Sequence, residues 1–305
     1  MSTPSDTSVS GGERTPDFTG LEALPVTIEP SATSAAASFV VRVLPAGDPE
    51  APVLLMLPAM AMKAKFYLPM LAALAQREFN AAAVDLRAQG ESLPPLGEAR
   101  NFGYREMLET DLPAIVAAVR ERFPRAPLYL FGHSLGGQLA LLYSASAPGS
   151  LAGVITIGTG SVYWRSFPGP RRLPVLLGSP YVWAVSRLRG HWAGNKLMAG
   201  PMAGGVMADW SRHALTGRYR PRGSRLRYDR LLRENPARVL MLSLKGDPLG
   251  PKSTVEFLAG RQRAATVTHR HLDAQSGVLN LDHFTWVKDS PVLSALIADW
   301  IRDSH

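Results

Sequence analysis

Residues 128–145 read Leu-Tyr-Leu-Phe-Gly-His-Ser-Leu-Gly-Gly-Gln-Leu-Ala-Leu-Leu-Tyr-Ser-Ala, and this stretch decides the fold. Leu128–Phe131 is a short, wholly apolar run of strand type, and Leu135 to Ser146 has the character of a helix. Between them lies Gly132-His133-Ser134-Leu135-Gly136, a G-x-S-x-G. A strand that passes straight into a helix needs a sharp turn, which forces the serine into strained backbone angles. Glycines on either side avoid clashes with the adjoining strand and helix. The hydroxyl then projects above the sheet edge, near a helix N-terminus that favours developing negative charge. The competing reading is a glycine-rich helix entry with an incidental serine. The strand before and the helix after favour the first.

Working outward, apolar runs of strand length recur at Val53–Leu57, Ala81–Leu86, Leu151–Ile157, Val239–Leu244 and Thr266–Leu272. Helical stretches follow at Tyr67 to Gln76, Tyr104 to Phe123, Val255 to Leu258 and Pro291 to Ile301. Short apolar strands alternating with helices predict a mostly parallel sheet covered on both faces, an α/β fold. Before this pattern, Leu24–Ile28 and Ala37–Leu44 suit an antiparallel hairpin, and residues 1 to about 20 read as a flexible tail. Gly158 to Asp229 lacks the alternation and crowds Pro, Gly, Trp and Arg together. It is too long for an ordinary loop. A cap inserted over about 160–230, within one domain spanning 21–305, is expected.

The chain has 305 residues, 46% hydrophobic and 19% charged, which suits a large core and excludes a wholly disordered chain. Its lack of cysteine excludes disulfide scaffolds, thiol nucleophiles, Fe–S clusters and Cys-ligated zinc. No run of about 18 apolar residues exists and residues 1–17 lack a signal-peptide layout, so a soluble, cytoplasmic protein is expected. The net charge of +8 is regional: Gly160 to Arg238 holds 14 Arg and one Lys against Asp209, Asp229 and Glu234. Such a stretch could attract anionic substrates or lipid head groups. The spacing of Arg218, Arg220, Arg222, Arg225 and Arg227 among Pro221, Gly223 and Ser224 describes a solvated connector rather than one helical face, and nucleic-acid binding is not expected. Leu173 to Val185 could line an acyl pocket or pack the cap onto the core.

A nucleophilic serine needs a base, and the base an orienting acid. Asp247, in Lys245-Gly246-Asp247-Pro248, falls just past Val239–Leu244, and His283 lies between Thr266–Leu272 and the last helix. The order Ser, acid, His is that of a strand-turn-helix serine site. Against this, Gly-Asp-Pro is turn-prone, His283 could be a surface histidine, and Asp282 is a rival acid whose adjacency to the histidine counts against it. The tetrahedral intermediate needs two backbone N–H donors. Leu135 supplies one, and Met60, in the loop Pro58 to Met62, the other. His269-Arg270-His271-Leu272-Asp273 begins like a metal motif but reads as strand histidines. His133 is expected to pack at the elbow, and Asp85, Arg87 and Ser92 to hydrogen-bond within their loop.

LPAMAM, VDLRAQGES, FGHSLGGQLAL, LKGDPLGP and LDHFTW, spread over about residues 50 to 300, resemble the α/β-hydrolase superfamily, and within it the serine-aminopeptidase and monoacylglycerol-lipase-like hydrolases. The resemblance implies hydrolysis of an ester, thioester or amide through a covalent acyl-enzyme. Ser134 would be nucleophile, Asp247 acid, His283 base, and Met60 and Leu135 the oxyanion donors, with no metal or organic cofactor. Pro58-Ala59 stands where the family has His-Gly, and Ala88 where it has the first glycine of D-x-R-G-x-G-x-S. The expected activity is that of a serine esterase on a small-molecule acyl substrate, for which the arginine-rich stretch allows an anionic or lipid-like one. Thioesterase, peptidase or acyltransferase chemistry on the same residues is the alternative, and a catalytically silent binding module a second one.

Overall fold

A computed structural model describes residues 20–31, 34–99, 101–194 and 200–303. The strands are β1 (Glu22–Ile28), β2 (Ala37–Leu44), β3 (Val53–Leu57), β4 (Asn80–Val84), β5 (Leu128–His133), β6 (Gly153–Ile157), β7 (His191–Trp192), β8 (Met202–Ala203), β9 (Arg238–Leu244) and β10 (Thr266–Leu272). Interleaved with them are α1 (Leu68–Ala75), α2 (Tyr104–Glu106), α3 (Leu112–Arg122), α4 (Leu135–Ser146), α5 (Arg172–Arg189), α6 (Gly204–Thr216), α7 (Tyr228–Glu234), α8 (Lys252–Ala259) and α9 (Ser290–Arg302). The main sheet has eight strands in the order β1-β2-β4-β3-β5-β6-β9-β10. β2 runs antiparallel to both β1 and β4, and all other pairings are parallel. The hairpin and the parallel sheet expected from the sequence are both present. The expected N-terminal tail lies almost wholly outside the described residues.

Every residue of β3 is buried because the sheet is covered twice. Val53, Leu55 and Leu57 face one apolar cluster with residues of α3, α4, α7 and α8, while Leu54 and Met56 face a second with residues of α1 and α9. This is the period-two alternation of a strand with two apolar faces. The chain crosses from β4 over β3 to β5, so the carboxyl ends of β3, β5, β6, β9 and β10 share one rim. Reversals of this kind are where parallel sheets open a crevice for ligands.

The loop after β4 is pinned beneath that rim. Asp85 accepts the backbone N–H groups of Ala64 (2.6 Å) and Glu91 (2.9 Å), and Ser92 donates to the Asp85 carbonyl. Arg87 grips Asp111 from both guanidinium edges, with Nε 2.9 Å from Oδ2, and both side chains are buried. Burial raises the Asp111 carboxyl to about 6 and the Arg87 charge opposes that rise. Removing one partner of such a pair costs about 3–5 kcal/mol, because the other charge is stranded. Ala88, where the resembling family carries glycine, sits in left-handed backbone at φ 59°. The interrupted region is an insert between β6 and β9 that holds α5, the small β7–β8 hairpin, α6 and α7. Between α6 and α7 the arginine-rich run forms no helix, as its spacing implied.

Candidate functional site

Ser134 sits at the turn from β5 into α4 with φ 52° and ψ −115°, the strained geometry that the sequence pattern demands. The glycines around it are fixed by contact. A Cβ on Gly132 would lie 2.3 Å from the Gly137 backbone, and one on Gly136 would lie 2.1 Å from the Leu57 carbonyl oxygen. The second approach matters for chemistry, because it brings the start of α4 against the loop that follows β3. Met60 stands on that loop. Among the described residues, neither the Met60 N–H nor the Leu135 N–H has a hydrogen-bond partner. Two such donors, one next to the serine in sequence and one on the loop after β3, are of the kind that a developing oxyanion needs.

Asp247 follows β9 and His283 follows β10, and both are buried. His283 Nδ1 lies 2.7 Å from Asp247 Oδ2. The other carboxylate oxygen, Oδ1, accepts the backbone N–H groups of Leu249 and Gly250, each at 2.8 Å. The turn contacts and the imidazole contact weighed for Asp247 therefore coexist, one on each oxygen. Asp282 is occupied elsewhere: it accepts the N–H groups of Phe284 (2.8 Å) and Thr285 (2.9 Å) and the Thr285 hydroxyl. It caps the turn that follows His283 and is not bonded to the ring.

Strand β6 joins the two halves of the site. The Ser134 N–H donates to the Ile157 carbonyl (3.1 Å), and the next residue, Gly158, donates to Leu242 (3.0 Å). Gly158 has φ 57°, and a Cβ there would lie 3.1 Å from Asp247 Oδ2 and 3.3 Å from His283 Nδ1. Beside Ser134, the fully buried ring of His133 lies 4.8 Å, centroid to centroid, from that of His283. Among the described residues, no hydrogen bond joins the Ser134 hydroxyl to the His283 imidazole.

Beneath the serine lies a second network that sequence reading did not anticipate. The Tyr67 hydroxyl accepts the Ala59 N–H (2.9 Å) and lies 2.8 Å from His133 Nδ1, while Trp286 Nε1 donates to His133 Nε2 at 3.4 Å. Burial, then the neighbouring His283 ring, holds His133 well below the ordinary histidine range, so it is neutral. The pinned Ala59 adjoins Met60, so Tyr67 fixes the loop in which Pro58-Ala59 replaces His-Gly. No local sequence signal marks Tyr67. Gly158 carried a weak one, as a glycine directly after a strand neighbouring that of the acid.

The strand histidines do not gather at the site. His269 Nε2 and His271 Nδ1 both meet the Ser243 hydroxyl, at 2.8 and 2.9 Å, on the β9–β10 face. A cavity of about 1130 Å³ among the described residues is also separate from Ser134, Asp247 and His283. It is a groove lined by Arg218, Arg220, Arg225, Arg227, Arg230 and Arg263 among others.

Residues 48–199 match the family model for the S33 serine aminopeptidases, and the described strand order, elbow and rim carry the same architecture. The chain belongs to the α/β-hydrolase superfamily. Three solved α/β-hydrolase-like structures show the extent of the likeness. An esterase of Pyrococcus furiosus is 15% identical, covering 96% of this chain and 95% of its own, with a TM-score of 0.59. A putative lipase of Acinetobacter baumannii is also 15% identical, with 94% and 93% covered and a TM-score of 0.59. Est1E from Butyrivibrio proteoclasticus, solved with ferulic acid bound, is 11% identical, with 87% and 96% covered and the same TM-score of 0.59. At such identities the likeness is one of fold. No curated protein matches the sequence.

Proposed function

We propose that this α/β-hydrolase is a serine hydrolase that cleaves a carboxylic ester through a covalent acyl-enzyme. Ser134 attacks the acyl carbon, and its proton passes to His283 Nε2. The ring then returns that proton to the leaving alcohol, and a water molecule repeats the sequence on the acyl-enzyme. Asp247 holds the imidazole with Nδ1–H towards the carboxylate, which leaves Nε2 free to accept. The N–H groups of Met60 and Leu135 receive the oxyanion. The observation that carries the proposal is the buried 2.7 Å contact between Asp247 and His283, on the same sheet rim as a serine held at φ 52°. A buried carboxylate bonded to one edge of an imidazole fixes its tautomer.

Ser134→Ala tests the proposal. Hydrolysis of short nitrophenyl esters and labelling by a fluorophosphonate should both disappear, with the melting temperature unchanged. Retained hydrolysis would refute it. The S33 serine-aminopeptidase match supports a second reading, amide cleavage with the same residues. Aminopeptidase substrates and acyl-CoA tested beside the esters separate peptidase and thioesterase chemistry from ester cleavage. Among the described residues, no helix is long and apolar enough to cross a membrane, and a cytoplasmic location is part of this proposal.

A further inference from the structure

Helix α5 presents an apolar face to solvent. Leu173, Leu177, Tyr181 and Leu188 are 57%, 71%, 60% and 86% exposed. At 100° per residue these positions, with Ala184, fall within an arc of about 80°. Ser179, Val182 and Ser186 are buried and lie on the opposite side, where α5 packs against α6. Among the described residues the helix is therefore anchored by small residues on one side and largely open to solvent along large apolar ones on the other, with Tyr181 edge-on to Trp192 at 6.2 Å between ring centroids. Contiguous exposed surface of this kind marks an interaction site.

Charge identifies what covers it. Arg171 and Arg172 stand at the start of the helix, Arg187 and Arg189 at its end, and Arg165 just before it. Among the described residues none of these five is ion-paired. From Arg122 to Ala208 the sequence contains no Asp or Glu. A second copy of the chain docked by the same face would set one arginine rim against another, because a two-fold interface pairs each patch with itself. An anionic lipid surface accepts both features, the apolar stripe at the acyl boundary and the arginines among the head groups.

We propose that α5 is a peripheral membrane anchor, laying its Leu173–Leu188 face into the surface of a bilayer rich in anionic phospholipid. The helix lies in the plane of the interface. Leu249 and Leu279, 47% and 80% exposed, sit on the loops that carry Asp247 and towards His283. They place further apolar surface on the rim where the candidate site opens. The proposal concerns binding and does not depend on the chemistry assigned to Ser134.

Vesicle co-sedimentation of the full chain tests it. Binding is expected to phosphatidylcholine–phosphatidylglycerol vesicles, with little to phosphatidylcholine alone, and it should weaken as salt rises. The double variant Leu177→Glu, Leu188→Glu alters two exposed side chains and should retain the melting temperature. It should lower the partition coefficient at least about tenfold. Arg187→Glu with Arg189→Glu should reduce binding to the mixed vesicles only. Absence of binding to the mixed vesicles would overturn the proposal. So would binding that the leucine variant leaves intact, or a dimer in sedimentation equilibrium that this variant dissociates while vesicles go unbound.

Discussion

Asp247→Asn offers the closest test of the candidate site, because the surrounding backbone dictates which way the new amide points. Asp247 Oδ1 accepts two N–H groups, from Leu249 and Gly250, both at 2.8 Å. An Asn amide nitrogen placed there would face two donors, so the amide oxygen must take that place and the NH2 group must turn to His283. The NH2 donates, which makes Nδ1 the acceptor and moves the ring proton to Nε2. An imidazole protonated at Nε2 cannot take a proton from Ser134. The expected loss in kcat is about 10³–10⁴-fold, the size seen when the orienting acid of a serine triad becomes an amide. That corresponds to roughly 4–5.5 kcal/mol of barrier. The fold loses far less: exchanging one charge-assisted bond for a neutral one costs about 1–2 kcal/mol, or a few degrees in melting temperature. The assay is kcat on a short nitrophenyl ester, with a thermal melt of the same preparation. A kcat within about tenfold of wild type would refute the argument that Asp247 sets the tautomer.

Asp282→Ala should separate the two neighbouring carboxylates. It removes the cap on the turn after His283 and should cost about 0.5–2 kcal/mol in stability, with kcat within tenfold of wild type; a collapse of kcat at unchanged stability would reinstate Asp282 as the acid. Tyr67→Phe strands the buried Ala59 N–H at a cost of about 1–3 kcal/mol. It should lower kcat ten- to hundredfold with little change in KM, by loosening the loop that carries Met60; stopped-flow kinetics showing an unaltered kcat would sink that role. His213 is buried on the Ser161 hydroxyl, and desolvation lowers it to about 3. The unfolded chain therefore takes up this proton first as pH falls below about 6.5, and stability is lost through that window. Relative to His213→Gln, wild type should lose about 2 kcal/mol between pH 7 and pH 5 in urea titrations; parallel curves would show that His213 does not titrate as described.

Most of this architecture could be read from local pattern. Leu128 to Ser146 specifies a strand, a forced turn and a helix in consecutive residues, and the β3 run Val53–Leu57 is apolar on both faces because both are covered. Asp247 and His283 could be singled out because one comes just past β9 and the other lies between β10 and the last helix. What stayed hidden depends on contacts between distant segments. Tyr67 meets Ala59 and His133 only once α1 is folded under the rim. Gly158 matters because of the residues its missing Cβ would strike. The apolar run Leu173 to Val185 left open whether it lined an acyl pocket or packed the cap onto the core, and Leu173, Leu177 and Tyr181 instead face solvent. Composition cannot say which side of a helix meets α6, and the buried side proved to be the one with small residues.

Because β6 and β9 are adjacent in the sheet and paired in register from Val154 with Val239, the long insert leaves and rejoins the framework at neighbouring strands. Nothing else in the main sheet threads through it. Selection, or an engineer, could thus exchange that insert while the strands on either side of it keep their pairing. A single scaffold of this design can trade one contiguous cassette without re-registering its sheet.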